Sequence, residues 1–299
     1  MNIFHIGLCV YPQLEGLTKA FWKAADNYVQ CRPESPNIRR LFDSAKPDLV
    51  FMQIQTEKVV DNDLIQYMAR SSFVINWTGD MRQGTPTWMY EAGATITCFS
   101  NMRDVNTMRA KGFKSEFLQI GIDEEIFKYW DHEVGNDIVF MANNYGHFPL
   151  SGLRRNSAQI LKQRYGTKFS LLGNGWQHPD GNLNANQIEE SKFYSGSRLG
   201  INISHFDTDR YSSDRIFRIM ASGCFCLSHH YKGIEKDFKV GIHLDTFRTP
   251  QEMCQKVDKW IENVEERGLM AQQGYRYVHE NFRYKNMIDN VLDIYKKYK

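Results

Sequence analysis

Short apolar runs alternate with amphipathic stretches along almost the whole chain. Ile3–Cys9, Leu49–Ile54, Phe73–Trp77, Ile96–Phe99 and Phe117–Ile120 read as buried strands. A second series follows at Ile138–Met141, Phe169–Leu172, Leu199–Ile203 and Cys224–Leu227. Helical periodicity fills the gaps, and several helices have legible ends. One starts near Ser151 and closes at Gly166. Thr249-Pro250-Gln251-Glu252 is a capping box with proline at the first helical position. Met253, Val257, Ile261 and Val264 then share one face, and Met287, Ile288, Val291, Leu292 and Tyr295 repeat the pattern in the tail. Strand and helix in alternation predict an α/β protein with mostly parallel sheets.

The alternation breaks once. Residues 128–136 are polar and aperiodic, so they are the predicted linker. Two α/β halves joined there would face each other across a cleft. The length of 299 residues fits two domains, and 42% hydrophobic residues can fill two cores. A net charge of +2 argues against binding nucleic acid by charge alone. The apolar amino terminus is too short for a signal peptide or a membrane span, which predicts a cytoplasmic protein. The six cysteines, at 9, 31, 98, 224, 226 and 254, are scattered and form no C-x-x-C pair. They read as reduced core thiols rather than disulfides or zinc ligands.

Residues 202–228 raise the chemical question. A strand ends near Ile203, a polar loop follows, and Ser212 or Ser213 can cap a short helix that Gly223 terminates. Arg215 and Arg218 sit in its first turns, where a cation opposes the helix dipole. Either a bound anion explains them, most often phosphate, or a salt bridge to Asp214 or another carboxylate does. Arg154 and Arg155 repeat the anomaly at the start of the helix from Ser151, and two such ends could converge on one diphosphate. Gly173-Asn174-Gly175-Trp176 follows another strand, where glycine permits close approach of a ligand or simply makes a tight turn. Asp207-Thr208-Asp209 could hold a hard cation, but loop aspartates are the commoner reading. In the first half, Asp80 ends a strand in a turn, where it either faces the cleft or caps the following helix, and a loop containing Gly16 would also face the cleft.

Three segments carry a resemblance. They are Tyr194-Ser195-Gly196-Ser197-Arg198-Leu199-Gly200-Ile201-Asn202-Ile203, Asp214 through Phe225, and Gly233-Ile234-Glu235-Lys236-Asp237-Phe238. They resemble the carboxyl half of GT-B glycosyltransferases, most nearly the "glycosyl transferases group 1" proteins of the CgeB type. Leu118-Gln119-Ile120-Gly121-Ile122-Asp123, with Phe127, is similar to the segment that ends the amino-terminal domain of that fold. The resemblance implies two Rossmann-like domains facing a cleft. Residues 1–130 would form the acceptor domain and 131–282 the nucleotide-sugar domain. Residues 283–299 would be a helix crossing back to the first. It also implies a nucleoside-diphosphate sugar as donor substrate, no cofactor and no metal, which demotes Asp207 and Asp209 as ligands.

The expected donor set is Asn143, Arg154, Gly173, Asn174, Trp176, Asp209, Tyr211, Ser212, Ser213, Asp214, Arg215 and Arg218. Arg215 would offset the leaving charge, and Asp80 would act as general base or acceptor anchor. One departure stands out. Retaining relatives carry two glutamates eight positions apart, and this chain has Arg210 and Arg218 there, with Asp209 or Asp214 as substitutes. The expected activity is metal-independent transfer of a hexose or pentose to a hydroxyl, retaining rather than inverting. The alternatives are a non-catalytic nucleotide-sugar-binding protein, and a glycosyltransferase acting on a modified DNA base. The basic tail, Tyr295 to Lys299, permits the latter. The acceptor itself is left open among glycan, small molecule, protein and modified base.

Overall fold

The apolar runs are the central strands of two fully parallel sheets. The computed structural model describes residues 1–7, 14–131, 135–177, 179–181 and 186–299. The chain divides into two compact units, Met1–Gly121 with Tyr284–Lys299, and Ile122–Arg283.

In the first unit the strands are β1 (Asn2–Ile6), β2 (Asn27–Cys31), β3 (Leu49–Met52), β4 (Phe73–Thr78), β5 (Ile96–Phe99) and β6 (Ser115–Phe117). They line up as β2-β1-β3-β4-β5-β6, all parallel. Helices α1 (Glu15–Ala24), α2 (Ile38–Ala45), α3 (Asn62–Ala69), α4 (Trp88–Glu91) and α5 (Met102–Ala110) make the connections. Strands β3, β4 and β5 are buried throughout, as expected where helices cover both faces of a parallel sheet. The expected extension of β1 to Cys9 lies partly outside the described residues. Gly16 is a buried residue within α1 rather than part of a loop.

In the second unit the strands are β7 (Asn136–Met141), β8 (Phe169–Leu172), β9 (Ser197–Asn202), β10 (Phe225–His229) and β11 (Asp245–Phe247). Their order is β11-β10-β9-β7-β8, again parallel. The helices are α6 (Ser151–Tyr165), α7 (Gln187–Ser195), α8 (Asp214–Ala221), α9 (Pro250–Glu262) and α10 (Val264–Asn281). Gly166 follows α6 at φ 55°, and the Thr249 side chain accepts from Glu252 N at the start of α9. The last helix, α11 (Tyr284–Tyr298), puts Met287, Ile288, Val291 and Ile294 into the core of the first unit. Its Lys297 and Tyr298 both reach the Glu116 carboxylate, at 2.6 Å each.

The polar stretch expected as a linker belongs instead to the second unit, and 132–134 of it lie outside the described residues. The units part at Gly121/Ile122. Trp130 explains why the chain is held beyond that point: its backbone N donates to Ser195 Oγ (3.2 Å) and its indole N–H to Ser191 Oγ (3.1 Å). Polar composition there marks a segment pinned by hydroxyls, not a free tether. Strands β2 and β11 were not expected, because each is an edge strand with too few apolar residues to stand out.

Candidate functional site

Strand order sets the place. In the second sheet β8 lies on one side of β7 and β9 on the other, so the chain reverses direction between β7 and β9. The loops leaving the carboxyl ends of those two strands splay apart, and open α/β sheets bind ligands in the crevice so formed.

Two arginines converge there. Arg154, from the first turn of α6, is completely buried. It donates from Nη1 to Ile203 O and from Nη2 to Asn143 O (2.6 Å). Arg215, from the first turn of α8, donates from Nε to Met141 O (2.6 Å) and from Nη1 to Asn202 Oδ1 (3.4 Å) and Ile203 O (3.3 Å). Both guanidinium carbons lie over Phe140, 5.4 and 5.9 Å from the ring centre. The two cations thus share a carbonyl and an aromatic ring. Among the described residues neither arginine forms an ion pair, and Arg154 Nε is buried without a partner. Burial, and then the neighbouring charge of Arg215, push Arg154 down to about 8. A guanidinium keeps its proton in proteins. Buried beside a second cation, this charge is therefore poorly compensated in the free protein.

Aromatic and imidazole rings surround the pair. His205 follows β9, and its ring packs at a tilt against Phe148 (4.6 Å) and Tyr145 (5.4 Å) from the loop after β7. His147 lies against Phe148 at 4.2 Å. Burial, then Arg154, Arg215 and His147, push His205 down to about 3. Sequence reasoning missed this group. Its only signal was a His-Phe pair in each of the two loops, His147-Phe148 and His205-Phe206.

Other expected donor contacts are committed to the protein itself. Ser212 is buried, and its hydroxyl pairs with Tyr231. Ser213 is the N-cap of α8, but its hydroxyl donates to Asn202 Oδ1 (2.9 Å) instead of capping. The helix end is filled by Asp214. Desolvation alone would raise its carboxyl, but Arg218, Arg215 and the amides of Arg215 and Asp214 hold it below the usual range. Arg218 is paired with Glu190 (3.0 Å) and Asp214 (2.8 Å), so its charge is neutralised. Asp209 pairs with Lys232 at 3.2 Å, and Tyr211 meets Phe206 edge-on at 6.1 Å. Arg210 forks onto Asp237, at 2.8 Å at the closest.

The glycine turn also serves packing. A Cβ on Gly173 (φ 132°) would lie 2.1 Å from Ala142 O, and one on Gly175 (φ 78°) 2.4 Å from Asn144 O. These glycines let one loop lie directly on the other. Asn143 Oδ1 accepts from the exposed Asn174 N (2.9 Å), and the Trp176 indole N–H donates to Ala142 O (2.6 Å). The loop after β7 is therefore fixed from below, with Asn143 O turned to Arg154. Asp80 belongs to the first unit, in the turn after β4, where its carbonyl accepts from Thr78 Oγ1 (3.2 Å). Among the described residues no group of three His, Cys, Asp or Glu is arranged to hold a metal, and no helix is long and apolar enough to cross a membrane.

Residues 154–293 match a family model described as glycosyl transferase-like. No curated protein matches the chain. Solved structures do. HepE of Anabaena, solved with UDP and glucose, superposes with a TM-score of 0.67 at 9% identity, over 99% of this chain and 100% of that one. HepE in complex with UDP-glucose gives 0.65 at 10% identity, over 99% of each chain. Sucrose-phosphate synthase of Thermosynechococcus elongatus gives 0.68 at 8%, over 99% of each. At such identities the likeness is one of fold, and the fold is GT-B: two Rossmann-like α/β units in one chain.

Proposed function

We propose that this chain, with its GT-B fold and glycosyl transferase-like carboxyl half, is a glycosyltransferase that draws a sugar from a nucleoside-diphosphate donor. The observation that carries the reading is the pair of arginines at the β7–β9 reversal, Arg154 buried and Arg215 half-buried, neither of them ion-paired among the described residues. A diphosphate supplies the missing charge. That HepE was solved with UDP-glucose supports the choice of a nucleotide sugar.

The second unit takes the donor and the first unit the acceptor. In transfer, the bond between the anomeric carbon and the diphosphate oxygen breaks, and the electron pair leaves with the diphosphate. A new bond forms to the acceptor oxygen, whose proton passes to a base, for which Asp80 is the candidate. The sugar passes through an oxocarbenium-like state. Arg215 and Arg154, already fixed by carbonyls, meet the growing charge without reorganising. Such a site needs no divalent ion. Gly173, Asn174 and Trp176, in the loop after β8, are the candidates for the base and ribose.

A second reading is favoured by Arg210 and Arg218, which stand where the resemblance expects glutamates and are paired to carboxylates. On that reading the protein binds the donor without transferring it. The Lys-rich tail offers little to a DNA acceptor, because Lys296, Lys297 and Lys299 take partners within the chain.

The test is a thermal-shift screen of UDP-glucose, GDP-mannose and dTDP-glucose in EDTA, followed by assay of donor hydrolysis. A ligand that binds only the folded state raises the melting temperature. A rise with hydrolysis supports the transferase, and a rise without hydrolysis supports the binding protein. No rise with any of them sinks both readings.

A further inference from the structure

We propose that His205 is a further ligand-binding residue of the diphosphate site, neutral in the free protein and protonated when the diphosphate arrives. On binding, the ring takes one proton from solvent and Nδ1–H donates to a phosphate oxygen. The inference rests on the diphosphate reading above and extends it.

Three observations carry it. First, His205 Nδ1 is enclosed, yet it has no hydrogen-bond partner. Buried polar atoms are nearly always bonded, and an orphan beside an anion site marks a place for a ligand atom. Second, the ring is held in place. Phe148 and Tyr145 pack against it at a tilt, and the residue's own carbonyl accepts from Leu150 N at 3.1 Å. Third, its neighbours are cations. Arg154 and Arg215 both bond Ile203 O, two residues earlier on the same strand exit. The charged and titratable groups facing the ring are Arg154 from α6, Arg215 from α8 and His147 from the loop after β7. Tyr145 lies beside it at a tilt, and no carboxylate among the described residues bonds to it.

The sign of the effect follows. With no anion present, the guanidinium charges and burial keep the imidazole neutral, at a value of about 3 against its ordinary 6.5. The two negative charges of the diphosphate offset those of the two guanidinium groups, and a phosphate oxygen at hydrogen-bond distance favours the protonated form. A group whose affinity for a proton rises on binding makes binding tighter as pH falls through the value in the complex. The gain levels off only below the value in the free protein.

The experiment is calorimetric titration of the full chain with UDP-glucose, in Pipes and in Tris, from pH 8 to pH 6. The diphosphate of UDP-glucose is esterified at both ends and does not titrate there, so any proton taken up comes to the protein. The expected result is net proton uptake on binding, growing as pH falls across this range. Affinity should rise toward the acid end, by at most about tenfold per pH unit. His205→Asn keeps a donor near Nδ1 without a titrating ring. It should still bind, with no proton uptake and no slope in this range. His147→Asn should keep both.

Should His205→Asn not fold, 15N spectra of the wild-type histidines decide the matter, since one imidazole should pass from neutral to protonated on adding UDP-glucose. Binding without proton uptake, or uptake unchanged in folded His205→Asn, overturns the inference and leaves the diphosphate reading standing. Absence of binding by UDP-glucose, GDP-mannose and dTDP-glucose removes the reading beneath it and the inference with it.

Discussion

Both sheets reverse their strand order in the same manner, and the residues at the two reversals differ in kind. In the first unit the reversal falls between β1 and β3. There His5, fully buried, bonds Gln53 Oε1 (2.8 Å) through Nε2 and Tyr28 Oη (2.7 Å) through Nδ1. Beside it the Asn76 amide accepts from Ile54 N (3.1 Å) and donates to Ile54 O (3.3 Å). The groups are neutral and answer one another. In the second unit the reversal between β7 and β9 holds two guanidinium groups and an imidazole, with no carboxylate bonded to them among the described residues. Topology supplies the same crevice twice. The side chains decide what each asks of a ligand. A closed neutral network asks for nothing, and a cationic one left open asks for an anion.

The comparison can be broken by core substitutions of matched size. Phe140 and Phe51 are both fully buried, one under the arginines and the other packed on His5 at 5.7 Å. Each change to alanine should cost about 3–5 kcal/mol in urea unfolding. Only Phe140→Ala should also weaken UDP-glucose binding by the folded protein. Equal loss of binding in Phe51→Ala would erase the distinction between the reversals.

Acid separates them next. Burial pushes His5 down to about 4, outweighing the Gln53 bond that favours its charged form. The unfolded chain therefore takes a proton at His5 more readily than the folded one. The stabilisation is whole above the ordinary value of 6.5 and is lost as pH falls toward 4. By pH 4 the loss should approach about 3 kcal/mol, at 1.36 kcal/mol per pH unit. His5→Gln should make this limb shallower, leaving the share that His205 contributes through its own lowered value. An unchanged limb would mean that another group governs it.

A smaller effect concerns the glycine turn. Gly173→Ala forces a side chain into a left-handed backbone, 2.1 Å from Ala142 O. It should destabilise the free protein by roughly 1–3 kcal/mol. A glycine kept only for ligand access would weaken binding without that cost, and thermal unfolding with and without UDP-glucose tells the two apart.

Much of this was legible in the residues. Strands buried on both faces read as apolar runs, so β3, β4, β5 and the core of β7 stood out. The helix-end arginines were visible as charges of the wrong sign, and Arg154 and Arg215 do meet. Sequence could not separate them from Arg218, which has the same local setting. What distinguishes Arg218 is Glu190, 28 residues away on α7. Ser212 was lost as a donor contact for the same reason, because Tyr231 comes from beyond β10. The division of the chain was missed where polar residues are held by hydroxyls on α7. Local pattern reports burial and dipole, whereas partners brought together by the sheet decide whether a charge is spent or open.

The most direct test of the account is a calorimetric titration of UDP-glucose against wild type and Arg215→Ala, each shown to be folded by circular dichroism. A charge-assisted hydrogen bond contributes about 1.5–3 kcal/mol, so the variant should bind roughly ten- to a hundredfold more weakly. Equal affinities would contradict the account: Arg215 would then be a clamp on the Met141 and Ile203 carbonyls, and the diphosphate would have to sit elsewhere.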